Sequence, residues 1–269
     1  MPCYIPKQNL FFENGMDFGL FDYAIFFVAA FCAGLIDSIA GGGGLISVPT
    51  LMAMGVPVHM VLATNKLQSS FGSFSAAFNF WRKGLVSLQE IWLGIAFVFV
   101  GACLGTYTIL LLQANLLRLL IPIFLGVIFL YTLFSPKIGE QERPPKLKPA
   151  LFYGVFGFIL GFYDGFFGPG TGSFWTFLML ALLGLPMKKA VAHTKALNFT
   201  SNIVSLGVFI LGSPILWSVG LLMGLGQMLG AFVGSHLVMV KEVKFIRTIF
   251  LGVVGITILK LLWDYVVKI

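Results

Sequence analysis

One pattern occurs twice in this chain, and both copies carry ionisable residues into apolar surroundings. The first runs Gly34-Leu-Ile-Asp37-Ser-Ile-Ala-Gly41-Gly-Gly-Gly44, then Gly55-Val-Pro57, then Ala63-Thr-Asn-Lys66. The second runs Gly161-Phe-Tyr-Asp164-Gly-Phe-Phe-Gly168-Pro-Gly170-Thr-Gly172, then Gly184-Leu-Pro186, then Ala192-His-Thr-Lys195. Downstream, Gly101-Ala-Cys-Leu-Gly105 matches Gly230-Ala-Phe-Val-Gly234, while Arg118 and Gly126 match Arg247 and Gly255. The offset is 127 residues at the aspartates and 129 from Gly-x-Pro onward, which marks an internal duplication. With 58% hydrophobic and 10% charged residues and a mean hydropathy of +0.98, the chain lacks the charged exterior of a soluble domain. A duplicated membrane unit with glycine-rich, unwound backbone beside ionisable residues is how many secondary transporters build a substrate site.

Segments long enough to cross a bilayer are Met60–Trp81, Ile91–Leu112, Leu116–Phe134, Ala190–Leu211, Ile215–Met239 and Phe245–Trp263. Each half opens on a less regular stretch. Leu20–Ile36 runs into four glycines and then Leu45–Met54; Ala150–Tyr163 runs into Gly168-Pro-Gly-Thr-Gly172 and then Phe174–Leu185. Glycine costs about 1 kcal/mol and proline about 3 kcal/mol inside a helix, so each stretch reads as two pieces meeting at a break within the membrane. The expected organisation is an N-terminal segment (1–19), a first membrane repeat (20–134), a polar cytoplasmic linker (135–149) and a second repeat (150–267). The start of the chain carries Glu13, Asp17 and Asp22 rather than a basic stretch and cleavage site, so the first apolar segment is expected to be retained as a span. The three cysteines (Cys3, Cys32, Cys103) have neither metal nor redox spacing.

The net charge of +7 does not point to nucleic acid, because the 17 Lys and Arg residues sit mostly in short breaks between apolar runs. Equivalent breaks in the two halves carry opposite bias. Arg82-Lys83 follows one span where its counterpart, Gly212-Ser-Pro-Ile, is uncharged; Gly55-Val-Pro-Val-His59 is uncharged where its counterpart ends in Lys188-Lys189. Lys241, Lys244 and Arg247 face only Arg118. By the positive-inside rule the halves are upside down relative to one another, with Arg82-Lys83, the linker, Lys188-Lys189 and Lys241–Arg247 cytoplasmic. Inversion requires an odd number of crossings per half: three plus a re-entrant hairpin, or five. The expected fold is an all-α polytopic membrane protein of two inverted-topology repeats with glycine-broken half-helices.

Lys66 and Lys195 lie about two turns into otherwise apolar helices. A charged lysine deep in a bilayer costs about 2.5–3.5 kcal/mol on insertion scales, so it faces a partner or a watery cavity. A single such lysine is equally read as one whose stem reaches the headgroups; two at duplicated positions favour a site. Thr64, Asn65, Gln68, Ser69 and Ser73 follow at helical spacing, as do His193, Thr194, Asn198, Ser201 and Asn202. Hydroxyl and small residues in membrane helices commonly serve packing, the better reading for Ser70, Ser75 and Ser205. A stripe that also holds Lys, Asn and His exceeds what packing needs. Ammonium, amide and hydroxyl donors suit an anion, and short helices starting at Leu45 and Ser173 would aim their positive ends at it. The expected binding residues are Lys66, Lys195, Asn65, Thr194 and Asn198, with backbone at Gly42, Gly43, Gly170 and Gly172. Asp37 and Asp164 would pair with a lysine, satisfy backbone N–H groups of the bend, or carry a coupling proton. His193 is the one histidine in a site segment and can titrate near neutrality; His59 and His236 read as loop or interfacial residues.

Gly41–Gly44 is not followed by Lys-Ser or Lys-Thr, so no nucleotide-binding P-loop is present. Neither a nucleophile–base constellation nor metal-ligand spacing appears, so no enzymatic activity, cofactor or metal is expected. Ile-Asp-Ser-Ile-Ala-Gly-Gly-Gly-Gly (36–44), Ala-Thr-Asn-Lys-Leu-Gln (63–68), Gly-Phe-Tyr-Asp-Gly-Phe-Phe-Gly-Pro-Gly-Thr-Gly-Ser-Phe (161–174) and Thr-Lys-Ala-Leu-Asn-Phe-Thr-Ser-Asn (194–202) resemble the sulfite exporter TauE/SafE family, also called toluene sulfonate uptake permeases, and within it the YfcA-like bacterial branch. The resemblance spans nearly the whole chain beyond Gly19. It implies a multi-pass carrier of the bacterial inner membrane that moves a small sulfur-containing anion, sulfite or an organosulfonate, coupled to an ion gradient. On this reading Lys66 and Lys195 fall on the family's paired lysines, and Asp37 and Asp164 on its paired aspartates. Membrane lipid is then the surrounding partner; a proton or sodium as coupling ion and a homo-oligomer are both compatible with it. An anion channel uses the same basic pocket without a coupling ion, and a non-transporting membrane scaffold subunit is the third reading.

Overall fold

The computed structural model describes residues 18–113, 116 and 144–240. The expected spans Leu116–Phe134 and Phe245–Trp263, most of the linker, the first 17 residues, and Arg118, Gly126, Lys241, Lys244, Arg247 and Gly255 lie outside the described residues. Among the described residues the fold is all-helical: α1 (Leu20–Ala40), α2 (Gly44–Ala53), α3 (Val58–Arg82), α4 (Leu88–Leu110), α5 (Pro149–Phe166), α6 (Thr171–Leu178), α7 (Met187–Gly212) and α8 (Trp217–Val240). A π-helical turn, Met179–Leu183, extends α6; it falls in the stretch where the second copy is two residues longer than the first. Five of these helices (α1, α4, α5, α7, α8) are long and apolar enough to cross a membrane. With 25 residues α3 is as long, but its polar stripe lowers its hydropathy.

Both irregular stretches break at glycine. Gly41 ends α1 at φ 79° and Gly170 starts α6 at φ 82°, a left-handed backbone that costs other residues about 1–2 kcal/mol. The breaks of the two halves touch: a Cβ on Gly41 would overlap the backbone of Gly172. Each broken stretch is a hairpin that returns to the end it left. The start of α1 lies beside the start of α8 (Tyr23 OH to Ser218 Oγ, 3.4 Å), and so does the early part of α3, where the Leu216 N–H donates to Thr64 Oγ1 at 3.1 Å. In the second half, the Lys146 N–H just before α5 donates to the Leu182 carbonyl at the close of the π turn, 2.8 Å away. Each hairpin therefore makes no net crossing.

The hairpin of each half packs on the opposite half. α1 lies along α8, and α5 along α4, with glycines at the closest approaches: Gly34 against Gln227, Gly230 against Phe31, Gly101 against Phe158 and Gly165 against Ala102. α1, α3 and α8 run parallel, since Gly34 and Gly72 both abut Gln227 and, further along, Ser38 approaches Gly234 while Asn79 bonds Ser235. α5, α4 and α7 form the equivalent parallel trio, with Tyr153 and Leu197 both against Gly94. α3 leads directly into α4, which starts beside the start of α7 (Lys189 Nζ to Glu90 Oε2, 2.9 Å), so α3 and α7, in contact at Asn202 and Ser73, run antiparallel. The two trios accordingly point in opposite directions.

Charge and apolarity are distributed as a bilayer demands. Outside the centre, the described Lys and Arg residues (Arg82, Lys83, Lys146, Lys148, Lys188, Lys189) all gather at the end where α4, α5 and α7 begin. Large apolar side chains such as Phe78, Trp92, Phe99, Tyr107, Ile159 and Phe232 face outward, whereas Lys66, Asn65, Gln68, His193, Lys195 and Asn198 are buried. Water would reverse that arrangement; hydrocarbon favours it.

Candidate functional site

The register of the repeats hands each lysine to the other half's aspartate. Lys66, two turns into α3, donates to Asp164 Oδ1 at 2.7 Å near the end of α5, and also to Asn202 Oδ1 at 3.1 Å. Lys195, at the matching turn of α7, donates to Asp37 Oδ2 at 2.9 Å in the last turn of α1. Both ammoniums and Asp164 are almost fully buried, while the Asp37 side chain keeps 16% of its surface. Charges held this far from water persist only when paired, and the duplication provides both partners. Asp37 also accepts the Gly43 N–H at 3.3 Å, so it closes the break and anchors a lysine together. Asp164 Oδ2 accepts the Ser201 hydroxyl.

Between the breaks lies a small polar cavity of about 30 Å³, partly open to solvent. Its side-chain wall includes Asp37, Lys66, Asp164, Asn65, Asn198 and Asn202, and its backbone wall includes Gly170 and Gly172. Asn65 Oδ1 is taken by Ser47 Oγ (2.7 Å) and Gln68 Nε2 (3.0 Å), which leaves its N–H₂ group for a ligand. Asn198 brings an amide whose buried Oδ1 has no hydrogen-bond partner among the described residues. The first turns of α2 and α6 meet the cavity at Gly44 and Gly172, so two helix N-termini face it.

Other candidates sit elsewhere. Lys195 stands behind Asp37 rather than on the cavity wall. Gly42 and Gly43 do not line the cavity; their neighbours Gly41 and Gly44 do. Thr194 turns away, 3.2 Å from Thr176 Oγ1 and donating to Met179 Sδ at 3.9 Å. His193 is buried toward the basic end, with Nδ1 3.1 Å from the Tyr153 hydroxyl and Nε2 3.6 Å from Glu90 Oε2. Conversely, Ser69 and Asn202 line the cavity although neither stands among the expected binding residues; their signal was position, three residues after Lys66 and four after Asn198. The site balances two ammoniums against two carboxylates, so a negative ligand needs the amide, hydroxyl and helix-terminal donors plus relief from one carboxylate.

The chain matches the family model described as Sulfite exporter TauE/SafE over residues 26–261. It is 46% identical over 232 residues to a protein of Haemophilus influenzae named "Probable membrane transporter protein", covering 86% of this chain and 91% of that one. It is 46% identical over 240 residues to the Escherichia coli K12 protein named "Probable membrane transporter protein YfcA", covering 89% of each. A Sinorhizobium protein named "Probable membrane transporter protein ORF9" is 44% identical over 241 residues, 90% of this chain and 92% of that one. No solved structure matches the chain.

Proposed function

The chain belongs to the sulfite exporter TauE/SafE family of membrane transporters, and from that premise we propose that it is a secondary-active carrier of a small anion in the bacterial inner membrane. The substrate class is sulfite or an organosulfonate. The observation that carries the reading is the reciprocal pairing of Lys66 with Asp164 and Lys195 with Asp37, around a cavity into which Asn65 and Asn198 turn their amides. The Lys66 ammonium, amide N–H groups and two helix N-termini that face one cavity are the donors that a sulfonate's oxygens accept.

Two inverted repeats rock about this centre to expose it alternately to either side. The antiparallel run of α3 and α7, the exchanged packing of the hairpins, and hairpins with no net crossing support that architecture, in which each half contributes three crossings. The gathering of Arg82, Lys83, Lys188 and Lys189 at one end supports that end as cytoplasmic. The family's name gives sulfite as the cargo, which supports the sulfur-anion class.

The test is a thermal-shift screen of detergent-purified protein against sulfite, thiosulfate, sulfate, taurine, sulfoacetate and several carboxylates. A ligand at one hundred times its Kd stabilises by about 2.7 kcal/mol. A sulfur-anion hit that disappears in Lys66→Ala is the expected result. Hits among carboxylates alone would remove the sulfur assignment, and anion transport unchanged in both Lys66→Ala and Lys195→Ala would remove the site.

A further inference from the structure

The two carboxylates at the centre, alike in sequence, differ in what surrounds them. Among the described residues Asp37 is met only by groups that donate: the Gly43 N–H on Oδ1 and the Lys195 ammonium on Oδ2. No described side chain is placed to accept a proton from Asp37, which has only the partly open cavity beside it. Asp164 meets the Lys66 ammonium on Oδ1 but a hydroxyl, Ser201 Oγ, on Oδ2. The same Ser201 Oγ lies 3.0 Å from the Asn198 carbonyl oxygen. Ser201 therefore has two acceptors within reach and a single proton to give.

That arrangement satisfies either protonation state of Asp164. When Asp164 is charged, Ser201 donates to Oδ2. When Asp164 is protonated on Oδ2, its O–H donates to Ser201 Oγ and Ser201 turns its own proton to the Asn198 carbonyl. Asp164 and Ser201 keep a partner for each proton either way, while the Lys66 ammonium loses its counter-charge and remains on Asn202 Oδ1 at the cavity wall. The position equivalent to Ser201 in the first half is Gly72, which carries no side chain and packs on Gln227, so only one carboxylate has this relay.

We infer that Asp164 carries the coupling proton, and that a monovalent anion replaces the Asp164 charge on Lys66 when that proton arrives. The inference rests on the anion-carrier reading and deepens it: the coupling ion is a proton, and anion and proton move in the same direction. The charge balance is closed. One proton and one negative charge enter together, so two ammoniums still face two negative charges and the loaded site is as neutral as the empty one. The groups that face Asp164 are few. α3 presents Lys66, α1 presents Asp37 across the cavity, α7 presents Ser201, and Tyr163 lies beside it on α5, donating its hydroxyl to the Pro169 carbonyl at 2.8 Å. α4 turns Ala102, Gly105 and the Thr106 hydroxyl to α5, and its Glu90 is engaged with Lys189 at the basic end. α6 brings only backbone and Thr171, which donates to the Gly168 carbonyl.

The experiment uses the full-length protein and methanesulfonate, a probe whose own charge does not change between pH 5 and pH 9. Binding is measured by calorimetry across that range. Where Asp164 is ionised in the empty protein, affinity should fall tenfold per pH unit, the signature of one proton taken up with one anion, and Asp164→Asn should bind with an affinity that does not vary with pH. In vesicles of the wild-type protein, methanesulfonate uptake should alkalinise the side it leaves without generating a membrane potential, a readout that holds even if the variant fails to fold. Wild-type binding that is flat with pH, or uptake that drives a potential and moves no proton, overturns the inference and leaves the carrier intact. Failure of methanesulfonate and of every anion in the thermal-shift screen to bind at any pH would remove the carrier reading itself.

Discussion

Replacing Lys66 by methionine keeps most of the side chain's length and deletes its charge, which makes it a direct probe of the pairing across the halves. The Lys66 and Asp164 side chains expose 3% and 6% of their surface, and their charged atoms lie 2.7 Å apart. With an effective dielectric of about 20, that separation corresponds to an attraction of about 6 kcal/mol. Desolvation of both groups offsets much of it, but removing one partner leaves a buried carboxylate with its desolvation uncompensated. Breaking a buried pair in this way costs about 3–5 kcal/mol. The Lys189–Glu90 pair, with side chains 33% and 49% exposed, is the internal control; Lys189→Met should cost less than about 1 kcal/mol because water screens it. The assay is detergent-titrated unfolding of Lys66→Met, Asp164→Asn and the double variant, followed by far-ultraviolet circular dichroism at mildly alkaline pH. The expected outcome is a double variant more stable than the sum of the single losses by about 2 kcal/mol or more. Additive losses, or a Lys66→Met cost no larger than that of Lys189→Met, would refute the pairing.

Two further substitutions separate architecture from binding. Gly41→Ala should lower thermal stability well beyond Gly55→Ala: both positions have φ near +80°, but a Cβ at Gly41 meets the Gly172 backbone whereas nothing lies within 4 Å at Gly55; equal shifts in melting temperature would contradict the contact between the breaks. Asn198→Leu should weaken anion affinity about tenfold, the loss of one donor worth about 1.4 kcal/mol, while leaving thermal stability of the empty protein nearly unchanged because Asn198 Oδ1 has no partner to lose; ligand titration by thermal shift reads both quantities.

The elements were legible because hydrophobic runs and glycine breaks are local. The expected spans Met60–Trp81 and Ala190–Leu211 correspond to α3 and α7 within a few residues, and the short helices begin at Gly44 and Thr171, one and two residues ahead of the expected starts. The lysines and aspartates were legible as a set because duplication singled them out. Which aspartate each lysine meets was not, since that depends on packing between segments 98 and 158 residues apart. Thr194 illustrates the limit within one helix. Its repeat equivalent Asn65 lines the cavity while accepting the Ser47 hydroxyl, whereas Thr194 meets the equivalent hydroxyl of Thr176 and does not reach the cavity: the neighbour is the same in both halves, and the longer, two-ended amide is what differs. Sequence equivalence placed the backbone positions alike, and the length and chemistry of each side chain decided which of them reach the cavity.

The exchange of hairpins has a consequence for biosynthesis. α1 has its long packing partner in α8, and Asp37 its counter-charge in Lys195, each more than 150 residues later in the chain. At a synthesis rate of about 5–20 residues per second, the first hairpin waits in the bilayer for about ten seconds or longer before either exists. Its glycine-lined face and half-buried carboxylate must be tolerated by lipid or by the insertion machinery over that interval. Among the described residues, the first hairpin draws its long packing partner and its counter-charge from the second half. Neither ion pair can close until the second half arrives.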